Sequence, residues 1–139
     1  MTFGFSANDG RGPQNQQALA NGLLTQIVVI GSRYWERAMV TCYLRYVIDA
    51  ARLAEFEHYA KLWIPLVERF GGKHHGYFLP SEGASNIALA LFTFPSLAAY
   101  ETYRTKSFAD PDCLAAFEYA KATSCIVSYE RSFFRPVFS

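Results

Sequence analysis

The stretch WIPLVERFGGKHHGYF, from Trp63 to Phe78, decides how this chain folds. Trp63, Val67 and Phe70 recur at steps of four and three, which places them on one face of a helix. Gly71 and Gly72 follow at once, and glycine past the last periodic residue is a helix stop. Lys73 to Phe78 then opens an aromatic segment that suits a strand better than another helix. Reading upstream, Leu53, Phe56 and Ala60 continue the apolar stripe, so a helix is expected over Ala51–Phe70, with Asp49 as its N-terminal cap. Pro65 lies inside that pattern and should kink or restart the helix.

The same reading extends in both directions. Val40–Ile48 (VTCYLRYVI) is rich in β-branched and aromatic residues and reads as the first strand. Lys73–Leu79 is the second. Pro80–Ser85 is a turn cluster, Asn86–Phe94 is the third strand, and Pro95 closes it. Ser96 caps a short helix running to Lys106. Asp110-Pro111-Asp112 restarts a helix to about Ala122, with Leu114, Phe117 and Ala120 or Lys121 at helical spacing. Ile126–Phe134 is the fourth strand. The order β-α-β-β-α-β, with one extra short helix, predicts an α+β, ferredoxin-like fold: an antiparallel sheet with helices on one face.

Composition bounds the rest. The chain has 139 residues, 51% of them hydrophobic and 17% aromatic, which suits one domain with a substantial core. A formal net charge of +1 without a basic cluster argues against nucleic acid and membrane surfaces as partners. Cys42, Cys113 and Cys125 are few, scattered and odd in number, so reduced thiols in the cytoplasm are expected. The longest apolar run, near Leu23 to Ile30, falls short of the roughly 20 residues a membrane span needs. No Lys or Arg precedes Arg11 to give it the basic flank of a secretory leader.

Residues 1–38 differ in character from the 39–139 domain. They hold several glycines and the run Gln14-Asn15-Gln16-Gln17, a linker-like composition. Three readings stay open: a flexible arm, an element that docks on the body, or upstream sequence before a true start at Met39. The last is preferred, because Met39 directly precedes the first clean strand.

The third strand points to self-association. Ile87, Leu89 and Leu91 occupy one face and Ala88, Ala90, Phe92 and Phe94 the other, so both faces are apolar. One chain has helices for one face only. A second copy of the sheet is the simplest cover for the other, which predicts a homodimer through the sheet face. The aromatic end, Phe133 to Phe138, could reach across to that second copy.

The run Pro65-Leu66, Arg69, Gly71-Gly72 and Gly76-Tyr77-Phe78 resembles the NIPSNAP family, within the dimeric α+β barrel superfamily. Tyr46, Leu53, Phe56, Asn86, Ser96-Leu97 and Asp110-Pro111 add to the likeness, which covers about residues 40–138. The resemblance implies fold and dimer rather than a reaction. Where family members commonly carry Glu and Arg in the first strand, this chain has Cys42 and Leu44. Where they often carry His and Trp in the third, it has Ala90 and Phe92.

In that superfamily the space between sheet and helices often holds a small molecule. The resemblance therefore implies a small apolar or aromatic ligand there. The alternatives are a cofactor-free monooxygenase or isomerase, and a structural or partner-binding protein without catalysis. Strand alternation supplies the candidate side chains. Thr41, Tyr43 and Arg45 share one face of the first strand. His75 and Tyr77 share one side of the second, with His74 and Phe78 on the other. Tyr43, Arg45, Tyr77, Asn86 and Glu130 are the candidate ligand-binding residues, and His75 is the candidate general base. Arg45 and Glu130 also suit a cross-strand ion pair. Adjacent strand residues point to opposite faces, so His74 and His75 do not clamp one metal, and neither metal nor cofactor is expected.

Overall fold

The computed structural model of the chain describes residues 38–138, so the readings made for residues 1–37 lie outside the described residues. Four strands, β1 (Val40–Ile48), β2 (Lys73–Phe78), β3 (Ile87–Phe94) and β4 (Ile126–Phe134), form one sheet in the order β2-β3-β1-β4. Every neighbouring pair is antiparallel. Among the described residues three α-helices accompany it: α1 (Leu53–Arg69), α2 (Leu97–Ser107) and α3 (Pro111–Thr123). This is the ferredoxin-like α+β arrangement expected from the order of elements. No helix among the described residues is long and apolar enough to cross a membrane.

Local chemistry sets the element ends. Asp49 accepts a hydrogen bond from the Ala51 N–H at 2.9 Å and caps a single 3-10 turn, Ala50–Arg52, which leads into α1. The helix therefore begins two residues later than its periodicity suggests. It runs unbroken through Pro65. Both Pro65 and Lys61, whose carbonyl loses its intrahelical donor, are exposed, so water can serve that carbonyl. At the far end the Gly72 N–H bonds the Val67 carbonyl at 3.1 Å and the Gly71 N–H bonds that of Glu68 at 3.0 Å. This pair of bonds is the Schellman stop, and Gly71 has the positive φ of 92° that it requires.

Downstream, Ser96 accepts from the Ala99 N–H at 3.0 Å and Asp110 from the Cys113 N–H at 3.0 Å. Arg69 reaches from the end of α1 to Asp110 at 2.6 Å and Asp112 at 2.8 Å, tying the start of α3 to the helix stop.

The core lies between the sheet and the helices. Cys42, Leu44, Tyr46 and Ile48 of β1 and Ala88, Ala90, Phe92 and Phe94 of β3 are buried against Phe56, Tyr59, Trp63 and Val67 of α1. On α3 the buried positions are Cys113 and Ala116, whereas Leu114 is 43% exposed. Of the expected stripe, Phe117 and Ala120 are half-buried and pack against the core, and Leu114 alone points outward. The opposite, outer face carries Ile87, Leu89 and Leu91, half-buried, beside exposed Phe78 and Phe134.

One expectation about the sheet is corrected. His74 pairs with Phe92 but Gly76 pairs with Leu91, so His75 is the extra residue of a β-bulge. Gly76 takes a φ of 112°, a conformation open to glycine, at that point. The alternation shifts by one: Tyr77, opposite Ala90, joins His74 on the helix-covered face, while His75 stays on the outer face. His75 and Tyr77 therefore do not share a side.

Candidate functional site: an aromatic cavity between sheet and helices

The helix-covered side of the sheet is not filled. A cavity of about 460 Å³ opens between the two layers. Its floor is Leu44 and Tyr46 from β1, Tyr77 from β2, Phe92 from β3, and Ile126, Tyr129 and Arg131 from β4. Tyr59, Trp63 and Val67 of α1 form one wall. Tyr100, Tyr103 and Arg104 of α2, Phe108, and Phe117, Ala120 and Lys121 of α3 form the others. Phe108 and Tyr129 are more than half exposed and mark the entrance.

The rings brace one another. Tyr46 and Tyr77 stack at 6.2 Å, Trp63 meets Phe117 at 5.0 Å, and Tyr59 meets Trp63 edge-on at 6.1 Å. Such contacts hold a wall in shape without filling the space in front of it.

Burial dominates the electrostatics. It pushes the hydroxyls of Tyr59 and Tyr100 up to about 12, and those of Tyr46, Tyr77 and Tyr103 upward as well. These phenols stay protonated near neutrality, as hydrogen-bond donors and acceptors rather than bases. Burial also lifts the Cys42 thiol to about 11, against the pull of the Arg131 charge, so it is no nucleophile at neutral pH. Among the described residues, no well-formed hydrogen bond reaches two buried nitrogens of the lining, Trp63 Nε1 and Arg131 Nε, although the Tyr59 hydroxyl lies close to the indole and the Cys42 thiol close to the guanidinium.

His74 lies beside this floor on the same face of the sheet, stacked on Tyr77 at 5.0 Å. Burial lowers its pKa from 6.5 to about 4, with the neighbouring His75 adding to the effect, so it is neutral near pH 7. Its Nδ1 accepts the Gly76 N–H at 2.9 Å, which puts the proton on Nε2. Nε2 is buried and has no hydrogen-bond partner among the described residues. In this state His74 offers a donor and not a base.

The six candidate residues divide between locations. Tyr77 lines the aromatic cavity. Tyr43 is on the outer face against Phe134, ring to ring at 5.8 Å. Arg45 and Glu130, opposite each other in the β1–β4 register, form the cross-strand ion pair at 3.3 Å on that same face. Asn86 is exposed at the end of the turn, where its backbone carbonyl accepts the Ile48 N–H at 2.8 Å. His75 Nε2 lies 2.7 Å from Thr93 Oγ1, which in turn lies 2.7 Å from Thr41 Oγ1. His75 and Thr93 border a second cavity of about 340 Å³ with Gly71, Gly72, Pro95 and Phe138. The structure thus brings Arg45 and Glu130 together, and it keeps His75 and Tyr77 apart.

Apart from Tyr77, the residues that build the aromatic cavity were not singled out as a site by the sequence. Trp63 was read as core. Tyr59, Tyr100, Tyr103, Arg104, Lys121 and Arg131 carried no motif. A signal did exist for Arg131: it is in phase with Tyr129, and both pair with the apolar positions Leu44 and Tyr46 of β1.

The NIPSNAP family model matches residues 43–139. Solved structures carry the same likeness. A NIPSNAP family protein with unknown function from Agrobacterium tumefaciens is 20% identical with a TM-score of 0.63, over 72% of this chain and 89% of that one. An uncharacterized NIPSNAP-like domain protein from Burkholderia xenovorans is 18% identical with a TM-score of 0.60, over 73% and 87%. SnoaB of Streptomyces nogalater, a cofactor-independent oxygenase, is 18% identical with a TM-score of 0.55, over 73% and 96%. At these identities the likeness shows the fold, that of the dimeric α+β barrels. No curated protein matches this chain.

Proposed function

The chain belongs to the NIPSNAP family, and from that premise we propose that it is a homodimer that binds a small apolar or aromatic molecule between its sheet and its helices. The aromatic cavity of about 460 Å³ carries this reading. Cavities that take small molecules run from about 300 to 1,000 Å³, apolar with a few polar groups, and this one has that character. The buried Trp63 Nε1 supports it too: among the described residues it has only the nearby Tyr59 hydroxyl, without a well-formed hydrogen bond, and a donor kept from water gains from an acceptor.

The dimer is supported by the outer face, where Leu89, Leu91, Phe78 and Phe134 lie together on a sheet with helices on its other side. Free, buried Cys42, Cys113 and Cys125 favour a reducing compartment such as the cytoplasm.

The test is a fluorescence titration with phenylnaphthylamine, a neutral two-ring dye with a pendant phenyl. Saturable binding of one dye per chain is expected, and Ala120→Trp, which puts an indole into the cavity, should abolish it. Absence of saturable binding, or binding indifferent to Ala120→Trp, would refute the reading.

A second reading is a cofactor-free oxygenase with His75 as base. It draws on the fold shared with SnoaB. Because His75 borders the second cavity, this reading places its substrate there. Unchanged turnover of an identified substrate by His75→Ala would remove it.

A further inference from the structure

The charges around the aromatic cavity say what kind of molecule enters it. Among the described residues, three cations line it, Arg104, Lys121 and Arg131, and no Asp or Glu does. Elsewhere among the described residues, Arg45, Arg52, Lys61 and Arg69 reach a carboxylate within ion-pair distance, whereas Lys73, Lys106 and Arg135 on the surface do not. None of the cavity cations does so among the described residues.

Two of the three have a local reason to be there. Arg104 and Lys121 sit in the last turns of α2 and α3, where the helix dipole favours a positive charge. Arg131 has no such reason, because it stands on a strand. Its guanidinium lies 5.6 Å from the centre of the Tyr129 ring and close to the neutral Cys42 thiol, and among the described residues its buried Nε has no acceptor and the group no carboxylate. A guanidinium held against apolar walls gains most from an anion that takes two of its parallel N–H groups.

Arg104 serves the same space. Its guanidinium is 4.9 Å from the centre of the Phe108 ring at the entrance. Both arginines thus line one cavity, each beside a ring that marks its entrance, Arg104 at Phe108 and Arg131 at Tyr129.

We propose that the cavity selects aromatic molecules that carry one anionic group of the carboxylate or sulfonate type, with Arg131 holding the anion, Arg104 supporting it and the tyrosine and tryptophan walls holding the rings. This rests on the small-molecule reading above and adds the charge of the ligand. It is a statement about binding and involves no bond-making step.

Two dyes with one ring system test it: phenylnaphthylamine, which is neutral, and anilinonaphthalene sulfonate, which carries the anion. Each is titrated into the wild-type protein and into Arg131→Gln, Arg131→Lys, Arg104→Gln and Ala120→Trp, with circular dichroism melts to establish that each variant is folded. Loss of one charge-assisted hydrogen bond should weaken the sulfonate by about tenfold or more in Arg131→Gln and by less in Arg104→Gln. Arg131→Lys keeps the charge and should retain much of the affinity. The neutral dye should stay within about twofold across the arginine variants, a change close to thermal energy, and should be lost only in Ala120→Trp. If Arg131→Gln does not fold, Arg104→Gln gives the same comparison.

The inference is overturned if the arginine variants leave sulfonate affinity unchanged, or weaken both dyes alike. If the neutral dye still binds and Ala120→Trp still blocks it, that failure is confined to the charge. If neither dye binds, or Ala120→Trp blocks neither, the small-molecule reading fails and takes this inference with it.

Discussion

Gly72→Ala should destabilise the protein through a clash and not through backbone strain. A β-carbon placed on Gly72 would lie 2.7 Å from Phe94 Cζ, 2.8 Å from Phe94 Cε2 and 2.8 Å from Val67 Cγ1. Carbon atoms prefer about 3.5–4.0 Å, so all three contacts are repulsive. Neither neighbour can retreat easily. Phe94 and Val67 are each only 1% exposed, and the Phe94 ring is wedged against Tyr103 at 5.0 Å and Tyr100 at 5.9 Å.

Forcing one extra methyl into a packed core costs about 1–3 kcal/mol. A change of about 2 kcal/mol lowers the melting temperature of a domain this size by roughly 8–16 °C. The assay is thermal denaturation followed by circular dichroism. Phe94→Leu alone should also destabilise, but combined with Gly72→Ala it should cost less than the sum, because the smaller side chain relieves the clash. A Gly72→Ala protein melting within about 2 °C of wild type, well under 1 kcal/mol, would refute the reasoning, as would strict additivity with Phe94→Leu.

The remaining predictions touch other parts of the fold. Gly71→Ala meets no atom within 4 Å, but it sits at a φ of 92° and should cost about 1–2 kcal/mol from the backbone alone, measured by the same melt and unrelieved by Phe94→Leu. His74 has a folded pKa of about 4, below its unfolded value of 6.5, so its neutral form belongs to the folded state. The unfolded chain takes up that proton first, so stability is full above pH 6.5 and falls as pH drops from 6.5 towards 4; His74→Gln should flatten that part of the melting-temperature profile. Gly76→Val should disturb the bulge that turns Tyr77 into the cavity, weakening phenylnaphthylamine binding more than Thr93→Val does. Leu89→Asp with Leu91→Asp on the outer face should convert a dimer of 15.7 kDa chains to monomers by light scattering, and an unchanged mass would count against that interface.

The fold was legible because each element carries its own local signal. The stripe from Phe56 to Val67, the double glycine, and the Ser96 and Asp110 caps all act within a few residues of one another. The phase of β2 was misread although its signal was present. A lone glycine inside a strand marks a bulge, and Gly76 is one, but unbroken alternation was assumed across it.

The cavity was hidden for a different reason. Tyr59, Trp63 and Tyr100 have the spacing and burial of core residues, and whether such rings touch or leave a space depends on how the layers sit across the sheet. Nothing within reach of one residue's neighbours encodes that. Arg131 was legible in principle, since a lone cation in phase with Tyr129 on the apolar side of β4 calls for a partner.

The central claim, that the aromatic cavity receives a small molecule, is tested most directly at Trp63. The sequence has two tryptophans, Trp35 and Trp63, so Trp35→Phe leaves a single indole N–H signal in a nitrogen–proton correlation spectrum, and that nitrogen is buried in the cavity lining. Titration with phenylnaphthylamine should shift this signal saturably, to completion at one dye per chain, and Ala120→Trp should suppress the shift of the Trp63 signal. A saturating dye that leaves the Trp63 signal in place would contradict the account.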